Sequence, residues 1–331
     1  MHNAVRQRAK TAFIIVCWNN QDLLPECLAS IKAQTNTSHK VIIVDNASHD
    51  ASVEVARKEM PEAEIIEEKE NHGFAKGNNI AIQKALEDEE VGYIALLNTD
   101  ARIESTWLEI LTDFCVSKPQ AACMQGTTLD YYNHDVIDST HIFISRNGQG
   151  TQGNWRNISQ TEFGPKKVFG VNAAACLITR KFIEAQPFGT ELFDELMFMY
   201  LEDVDLAARA TTMGWDNYLV PGARALHMGS ASSGKNPGFS LYYTFRNNSA
   251  LLLKNLPFRM VLAMTPAILK GDLDTIATLR HRGQNKATRM VIKGRLVGLL
   301  RLPLYWKKIR ALRRARSVPY EYLWYLMQRG Y

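Results

Sequence analysis

The feature that most constrains this chain of 331 residues lies in its first 125, where short apolar runs alternate with stretches of helical periodicity. Ala12–Trp18 is too short to cross a bilayer and has no polar face, which is the pattern of a strand covered on both sides. Leu23–Gln34 then repeats apolar positions at helical spacing, with Asp22 as a candidate cap and Pro25 in the first turn. The alternation continues with strands at Val41–Val44, Glu64–Glu67, Tyr93–Leu97 and Ala121–Met124, separated by helices over Asp50–Glu59, Gly77–Leu86 and Ser105–Cys115. Buried strands alternating with helices predict an α/β fold with a mostly parallel, doubly wound sheet. Ligands of such sheets gather beyond the carboxyl ends of the strands, so the residues following each strand are the ones to search.

The rest of the chain changes character twice. Gly126–Lys167 is rich in Gly, Asn, Ser, Thr and Gln and predicts loops and short antiparallel strands, whereas Val168–His227 returns to a compact pattern. From about Leu256 onward the sequence reads as a helical appendage. No apolar run reaches the eighteen residues of a membrane span; the best, Phe258–Leu269, is shorter and carries Arg259. Five cysteines, odd in number and without a CxxC pair, predict buried thiols in a reducing compartment. The net charge of +5 hides an asymmetry: 13 of the 39 Lys and Arg fall between Thr275 and Tyr320, where there is no acid, leaving 26 against 34 Asp and Glu elsewhere.

Several strand ends carry polar clusters. Asp45 follows Val41–Val44; it can hold a nucleobase or ribose, or simply cap a turn with Asn46 and Ser48, and Asp50 caps the next helix. Asn71-His72-Gly73-Phe74-Ala75-Lys76-Gly77-Asn78-Asn79 is a loop opening a helix, where two glycines let the backbone approach a ligand. Asn98-Thr99-Asp100 ends another buried strand and offers a carboxylate to a divalent cation, or a polar turn. Glu202-Asp203-Val204-Asp205, with Arg209 four residues beyond Asp205, crowds carboxylates that raise one another's pKa, as a general base requires; an acid-decorated helix N-terminus is the alternative. His227 follows the predicted strand Tyr218–Val220 and precedes the Ser/Gly stretch Gly229–Gly234, as a metal ligand beside a mobile lid would. No G-x-G-x-x-G follows the first strand, where Trp18-Asn19-Asn20 stands, which argues against a dinucleotide-dependent oxidoreductase.

In this order the segments resemble the family 2 glycosyltransferases, and within them the rhamnosyltransferase-like group, from about Thr11 to Asn248. The most specific part is Phe193-Asp194-Glu195, Phe198-Met199-Tyr200-Leu201-Glu202-Asp203-Val204-Asp205-Leu206, Arg209, Gly214-Trp215, Val220-Pro221-Gly222-Ala223 and His227. The resemblance implies a GT-A fold with a nucleotide-sugar-binding half at 1–125, an acceptor-binding and catalytic half at 126–255, and a basic amphipathic helical tail at 256–331. It implies an inverting transferase that moves a sugar, rhamnose from dTDP-rhamnose as the first choice, onto a hydroxyl of a polysaccharide or lipid-linked glycan. A UDP-hexose or UDP-galactofuranose donor, or a non-catalytic binding homologue, is the alternative. By similarity Asp203 is the catalytic base, with Glu202 as second candidate. Donor-binding residues would be Trp18, Asn19, Asp45, Asn71, Gly73, Lys76, Asn78, Asn98, Thr99, Asp100 and Arg246; Arg246 and Asn247 resemble a Tyr-x-x-Arg-Asn element near the active site that would touch phosphate, while Gly170–Ala173 lines the sugar pocket. Asp100 and His227 would hold Mg²⁺ or Mn²⁺. The chain departs from the family at Asn98, where the metal motif carries a first Asp, and at Cys17-Trp18-Asn19, where Tyr-Asn is commoner.

The span 289–316 mixes Lys and Arg with Leu, Val, Tyr305 and Trp306, the pattern of a helix lying on an anionic membrane. With a lipid-linked acceptor in view, this predicts a cytoplasmic protein peripheral to the inner face of the plasma membrane, and no nucleic-acid partner.

Overall fold

The computed structural model describes residues 9–157, 164–189, 191–229 and 237–328. Strands β1 (Lys10–Cys17), β2 (His39–Asp45), β3 (Glu64–Glu67) and β4 (Val91–Leu97) are joined by helices α1 (Leu24–Lys32), α2 (Ser52–Glu59) and α3 (Gly73–Leu86). They pair in parallel in the spatial order β4-β1-β2-β3. A short β5 (Ala101–Ile103) and α4 (Trp107–Val116) lead to β6 (Ala121–Gln125). The polar stretch that follows holds β7 (Thr128–Asp130), β8 (Ile137–Ser139), β9 (His141–Ile144) and β10 (Gly150–Gly153). Then come β11 (Lys166–Val168), β12 (Ala175–Thr179), α5 (Arg180–Glu184), α6 (Glu202–Thr212), β13 (Asp216–Leu219) and β14 (Ala225–His227). The main sheet runs β11-β13-β6-β12-β4-β1-β2-β3, with β12 antiparallel to both its neighbours. A second sheet, β5-β14-β7-β8, lies beyond the end of β4.

The apolar run of β1 has a simple cause. Phe13, Ile15 and Cys17 pack with α1, α2 and α4 on one face, while Ala12 and Ile14 pack with α3, α5 and α6 on the other. Burying one such side chain contributes roughly 1.5–3 kcal/mol. All five cysteines are buried and unpaired. Two local expectations change. No side chain caps α1; the Asn20 carbonyl takes the amides of Leu23 and Leu24, and Asp22 stays exposed. Helix α3 begins at Gly73, four residues before the expected start, because the Asn71 side chain accepts the Gly73 N–H at 2.8 Å and opens the helix there.

The C-terminal region consists of α7 (Pro237–Asn255), α8 (Phe258–His281), α9 (Asn285–Leu300), α10 (Trp306–Ala315) and α11 (Tyr320–Gln328). Among the described residues no helix is long and apolar enough to cross a membrane. Helix α9 lies so close to α7 that a Cβ on Gly294 or Gly298 would sit 2.5 Å from the Tyr242 carbonyl oxygen or 2.3 Å from that of Arg246. Leu251, Leu252, Leu256, Met264, Leu323 and Leu326 share one core with Val204, Ala207 and Ala208 of α6. Buried charges tie the same helices together. Lys254 Nζ lies 2.5 Å from Asp194 Oδ2 and 2.8 Å from Asp205 Oδ1, and Arg209 Nε lies 3.0 Å from Asp205 Oδ2, all four side chains being fully buried. Lys308 of α10 reaches the same Asp194 at 2.7 Å and also bonds Glu191. Some of the basic tail therefore points inward: Lys308, Arg295 on Asp272, and Arg301 on the Leu196 carbonyl.

Candidate active site

The ends of β1 and β2 form the first part of the site. Asp45, paired in register with Cys17, is buried; its Oδ2 accepts the Ser48 N–H at 3.0 Å, while its Oδ1 has no hydrogen-bond partner. An unsatisfied buried carboxylate oxygen is costly unless a ligand fills it. Asn19 is left-handed (φ 54°) and latches the Asp45 loop, accepting the His49 N–H at 2.7 Å while its own N–H donates to Ser48 Oγ. Trp18 beside it is 43% exposed, which leaves its ring free to cover a base. Asn46, not singled out from sequence, donates its amide to the Gly73 carbonyl at 3.0 Å and so fastens this loop to the first turn of α3. There Lys76 is half-buried and makes no ion pair among the described residues, whereas Asn78 is turned inward, donating to the Phe74 carbonyl at 2.8 Å.

The end of β4 forms the second part. Thr99 and Asp100 are buried and Asn98 half-buried. The chain then turns into β5, which pairs antiparallel with β14 and sets Ala101 opposite His227. Asp100 and His227, 127 residues apart in sequence, are brought together: Nε2 of His227 is 3.3 Å from Asp100 Oδ1. Nδ1 is 2.9 Å from Asp138 Oδ2, on β8, a residue the sequence reading missed. Burial opposes charge on His227, but the two carboxylates outweigh it and lift its pKa to about 10. A carboxylate orienting an imidazole whose other nitrogen faces a second carboxylate is a common frame around a metal-binding histidine. Of the two donor types, the carboxylate oxygen suits Mn²⁺ or Mg²⁺, whereas the imidazole nitrogen is a softer donor than Mg²⁺ prefers. Among the described residues no group of three or more His, Cys, Asp or Glu could hold a metal ion by itself. The Ser230–Gly234 stretch, expected as a lid, lies outside the described residues.

The third part is the start of α6. Asp203 is half-buried, and burial raises its pKa to about 6 against the stabilising amides of Val204 and Ala173. Glu202 is buried with Oε2 unpartnered; burial first, then the charge of Asp203, raises its pKa well above the ordinary value. The turn before β12 lies between the two halves: the Ala173 amide is near enough to the Asp203 carboxylate to favour its charged form, and the Ala174 carbonyl accepts the Asn98 N–H at 2.8 Å. The chain enters α6 through Phe198, Tyr200 and Leu201, with φ of 63°, 69° and 68°. Left-handed backbone at such side chains costs on the order of 1–3 kcal/mol each. The Phe198 carbonyl accepts the Ala75 N–H at 3.0 Å, and Gly73 (φ 73°) has no room for a Cβ, which would meet that oxygen at 2.5 Å. Arg246, expected near phosphate, instead donates to the main-chain carbonyls of Leu196 and Met197 at 3.2 and 2.5 Å, with its guanidinium 4.4 Å over the Tyr243 ring.

Comparison with known proteins agrees with this layout. The pattern "Glycosyl transferase family 2" matches residues 12–184. An N-acetylglucosaminyl-diphospho-decaprenol L-rhamnosyltransferase of Mycobacterium tuberculosis is 26% identical over 236 residues, 66% of this chain and 76% of that protein. A mannosyltransferase from Pyrobaculum calidifontis, solved with GDP-Man and Mn²⁺, superposes with a TM-score of 0.55 at 15% identity, over 94% of this chain and 86% of that one. GalNAc-T7, solved with UDP, GalNAc and Mn²⁺, gives a TM-score of 0.56 at 14% identity, over 72% of this chain and 48% of that longer one. The fold is GT-A, with a C-terminal helical region. This chain is a glycosyltransferase and belongs to glycosyl transferase family 2.

Proposed function

We propose that the enzyme transfers a sugar from a nucleotide-sugar with inversion, Asp203 taking the proton from an acceptor hydroxyl as that oxygen attacks the anomeric carbon. The observation that supports this reading most is the 173–174 turn, whose Ala173 amide lies beside the Asp203 carboxylate while its Ala174 carbonyl bonds Asn98 at the end of β4. A carboxylate of pKa about 6 is ionised at pH 7 yet basic enough to accept a proton; Glu202, whose burial disfavours its charged form, is the weaker candidate. Asp45, through its unpartnered oxygen, and Trp18 bind the nucleoside, while Asn71, Gly73, Lys76, Asn98 and Thr99 surround the diphosphate and sugar. Asp100 and His227 would hold a divalent cation, which when bound supplies positive charge to the departing diphosphate.

Rhamnose from dTDP-rhamnose is the first choice of donor and a lipid-linked glycan the acceptor, supported by the name of the mycobacterial relative. The place of action follows, at the inner face of the plasma membrane. Support comes from the C-terminal surface: Phe258, Leu262, Leu296, Leu299, Leu300, Leu304 and Trp306 are all exposed, beside the exposed Lys307, Arg310, Arg313 and Arg314. Leu253, Phe258, Leu302, Pro303, Trp306 and Ile309 line an open groove of about 660 Å³ with Arg313 as its one charged side chain. The test is a screen of dTDP- and UDP-sugars with Mg²⁺ or Mn²⁺, reading mass shift and turnover. Sustained turnover with one donor class supports the reading; binding without turnover on any donor favours a non-catalytic homologue.

A further inference from the structure

The turn from Met197 to Leu201 sits between two things the reaction must align. On one side its Phe198 carbonyl takes the Ala75 amide in the first turn of α3, beside the donor. On the other it runs straight into Glu202 and Asp203. Three of its residues are left-handed although none is glycine, a backbone that persists only where its surroundings hold it. One side chain meets most of its carbonyls. Asn247 of α7 is fully buried, and its amide nitrogen donates to the carbonyls of Met197 (2.9 Å), Met199 (2.9 Å) and Tyr200 (2.8 Å). Two N–H bonds shared among three converging carbonyls suit no sheet or helix, only this turn. The Asn247 oxygen is fixed in turn by Arg246 Nε at 2.9 Å, and Arg246 carries its other donors to Leu196 and Met197. Behind them α9 closes on Arg246 at Gly298, so the clamp is backed by packed helix.

We propose that Asn247, braced by Arg246, is the positioning residue that holds this turn and sets the Asp203 carboxylate against the donor. The pair acts through the backbone of residues 196–200 and touches no phosphate. The inference rests on the reading of Asp203 as the base. It also says why a strained turn is kept here: loosening it on the Asn247 side shifts both the start of α6 and the wall that Gly73 packs against.

The test uses Asn247→Leu, which keeps the volume and removes the amide, and the milder Arg246→Lys, in the full chain. Amide hydrogen exchange by mass spectrometry, calorimetric affinity for UDP and dTDP, and kcat with the donor the wild type turns over are measured together. Exchange rises across residues 197–203 and stays unchanged in β1 and β2. The kcat falls on the order of 100-fold in Asn247→Leu, as a carboxylate displaced by about 1 Å requires. Nucleotide affinity stays within about threefold in both variants, because only the transition state loses. Unchanged exchange at 197–203, or nucleotide affinity falling in step with kcat as for a phosphate ligand, overturns the inference. If Asn247→Leu does not fold, Arg246→Lys carries the same readouts at a smaller amplitude. A wild type that turns over no donor refutes the reading of Asp203, while the exchange data still decide the clamp.

Discussion

Lys254→Met removes one cation from the buried cluster that fastens α6 to α7 and α10. The cluster joins the acids Glu191, Asp194 and Asp205 to the bases Arg209, Lys254 and Lys308, so it is neutral as it stands. Methionine keeps the apolar stem and leaves one uncompensated negative charge among fully buried groups. Breaking a buried pair in this way costs about 3–5 kcal/mol. At ~2 °C per kcal/mol for a chain of this size, the melting temperature falls by roughly 6–10 °C. The control is Arg57→Ala, which breaks the Arg57–Glu67 pair, 58% and 53% exposed, and should cost about 0–1 kcal/mol. The pH dependence gives a second check. Burial opposes ionisation of Asp194, but Lys254 and Lys308 hold its pKa below the ordinary 3.8. A depressed carboxylate contributes stability above its unfolded value and loses it as pH falls. The gap between wild type and Lys254→Met is therefore constant near neutrality and narrows below pH 3.8 as Asp194 takes up its proton. Thermal melts from pH 3 to 8 read both effects. A loss no larger than that of Arg57→Ala, or a gap that ignores pH, refutes the reasoning.

Activity should carry the ionisation of Asp203: kcat/KM falls about tenfold per pH unit below pH 6, the base being inactive once protonated. A flat profile between pH 5 and 7 contradicts the assignment. On the C-terminal surface, the wild type should co-sediment with phosphatidylglycerol vesicles and much less with phosphatidylcholine, more weakly as salt rises, each basic residue near the surface contributing about 1 kcal/mol. The double substitution Phe258→Ser and Trp306→Ser should abolish this without changing the melting temperature, since both side chains are exposed; binding that survives it places the membrane contact elsewhere.

The strands of the first 125 residues were legible because a run buried on both faces leaves a continuous apolar signature, and β1 supplies both cores from one such run. Asp45, Asp100 and Asp203 were legible because each sits at the end or start of an element that periodicity marks. Asp138 was not. It lies in a three-residue strand within a polar stretch, and its partner His227 is 89 positions away. Such pairing is set by the register of β5, β14, β7 and β8, which no local pattern encodes. Asn46 was read only as part of a turn and Asn247 only by resemblance beside Arg246, and their contacts stayed hidden for a related reason: each donates to main-chain carbonyls of another segment, and a lone asparagine gives no sign of which carbonyls it will meet. Arg246 was read by resemblance to a Tyr-x-x-Arg-Asn element, which does not show that its donors go to main-chain carbonyls and to the Asn247 side chain. The basic tail shows the same limit, since composition counts Arg295 and Lys308 with the exposed residues although both form ion pairs inside the protein.

The central claim is that Asp203 does the chemistry and not the binding. Asp203→Asn keeps the side chain's size and removes its basicity, so calorimetry and a turnover assay on this one variant test it most directly. Affinity for the donor nucleotide should stay within about threefold while transfer falls by 10²–10⁴, the range for loss of a general base. Transfer that persists at the wild-type rate, or nucleotide binding lost together with transfer, would contradict it.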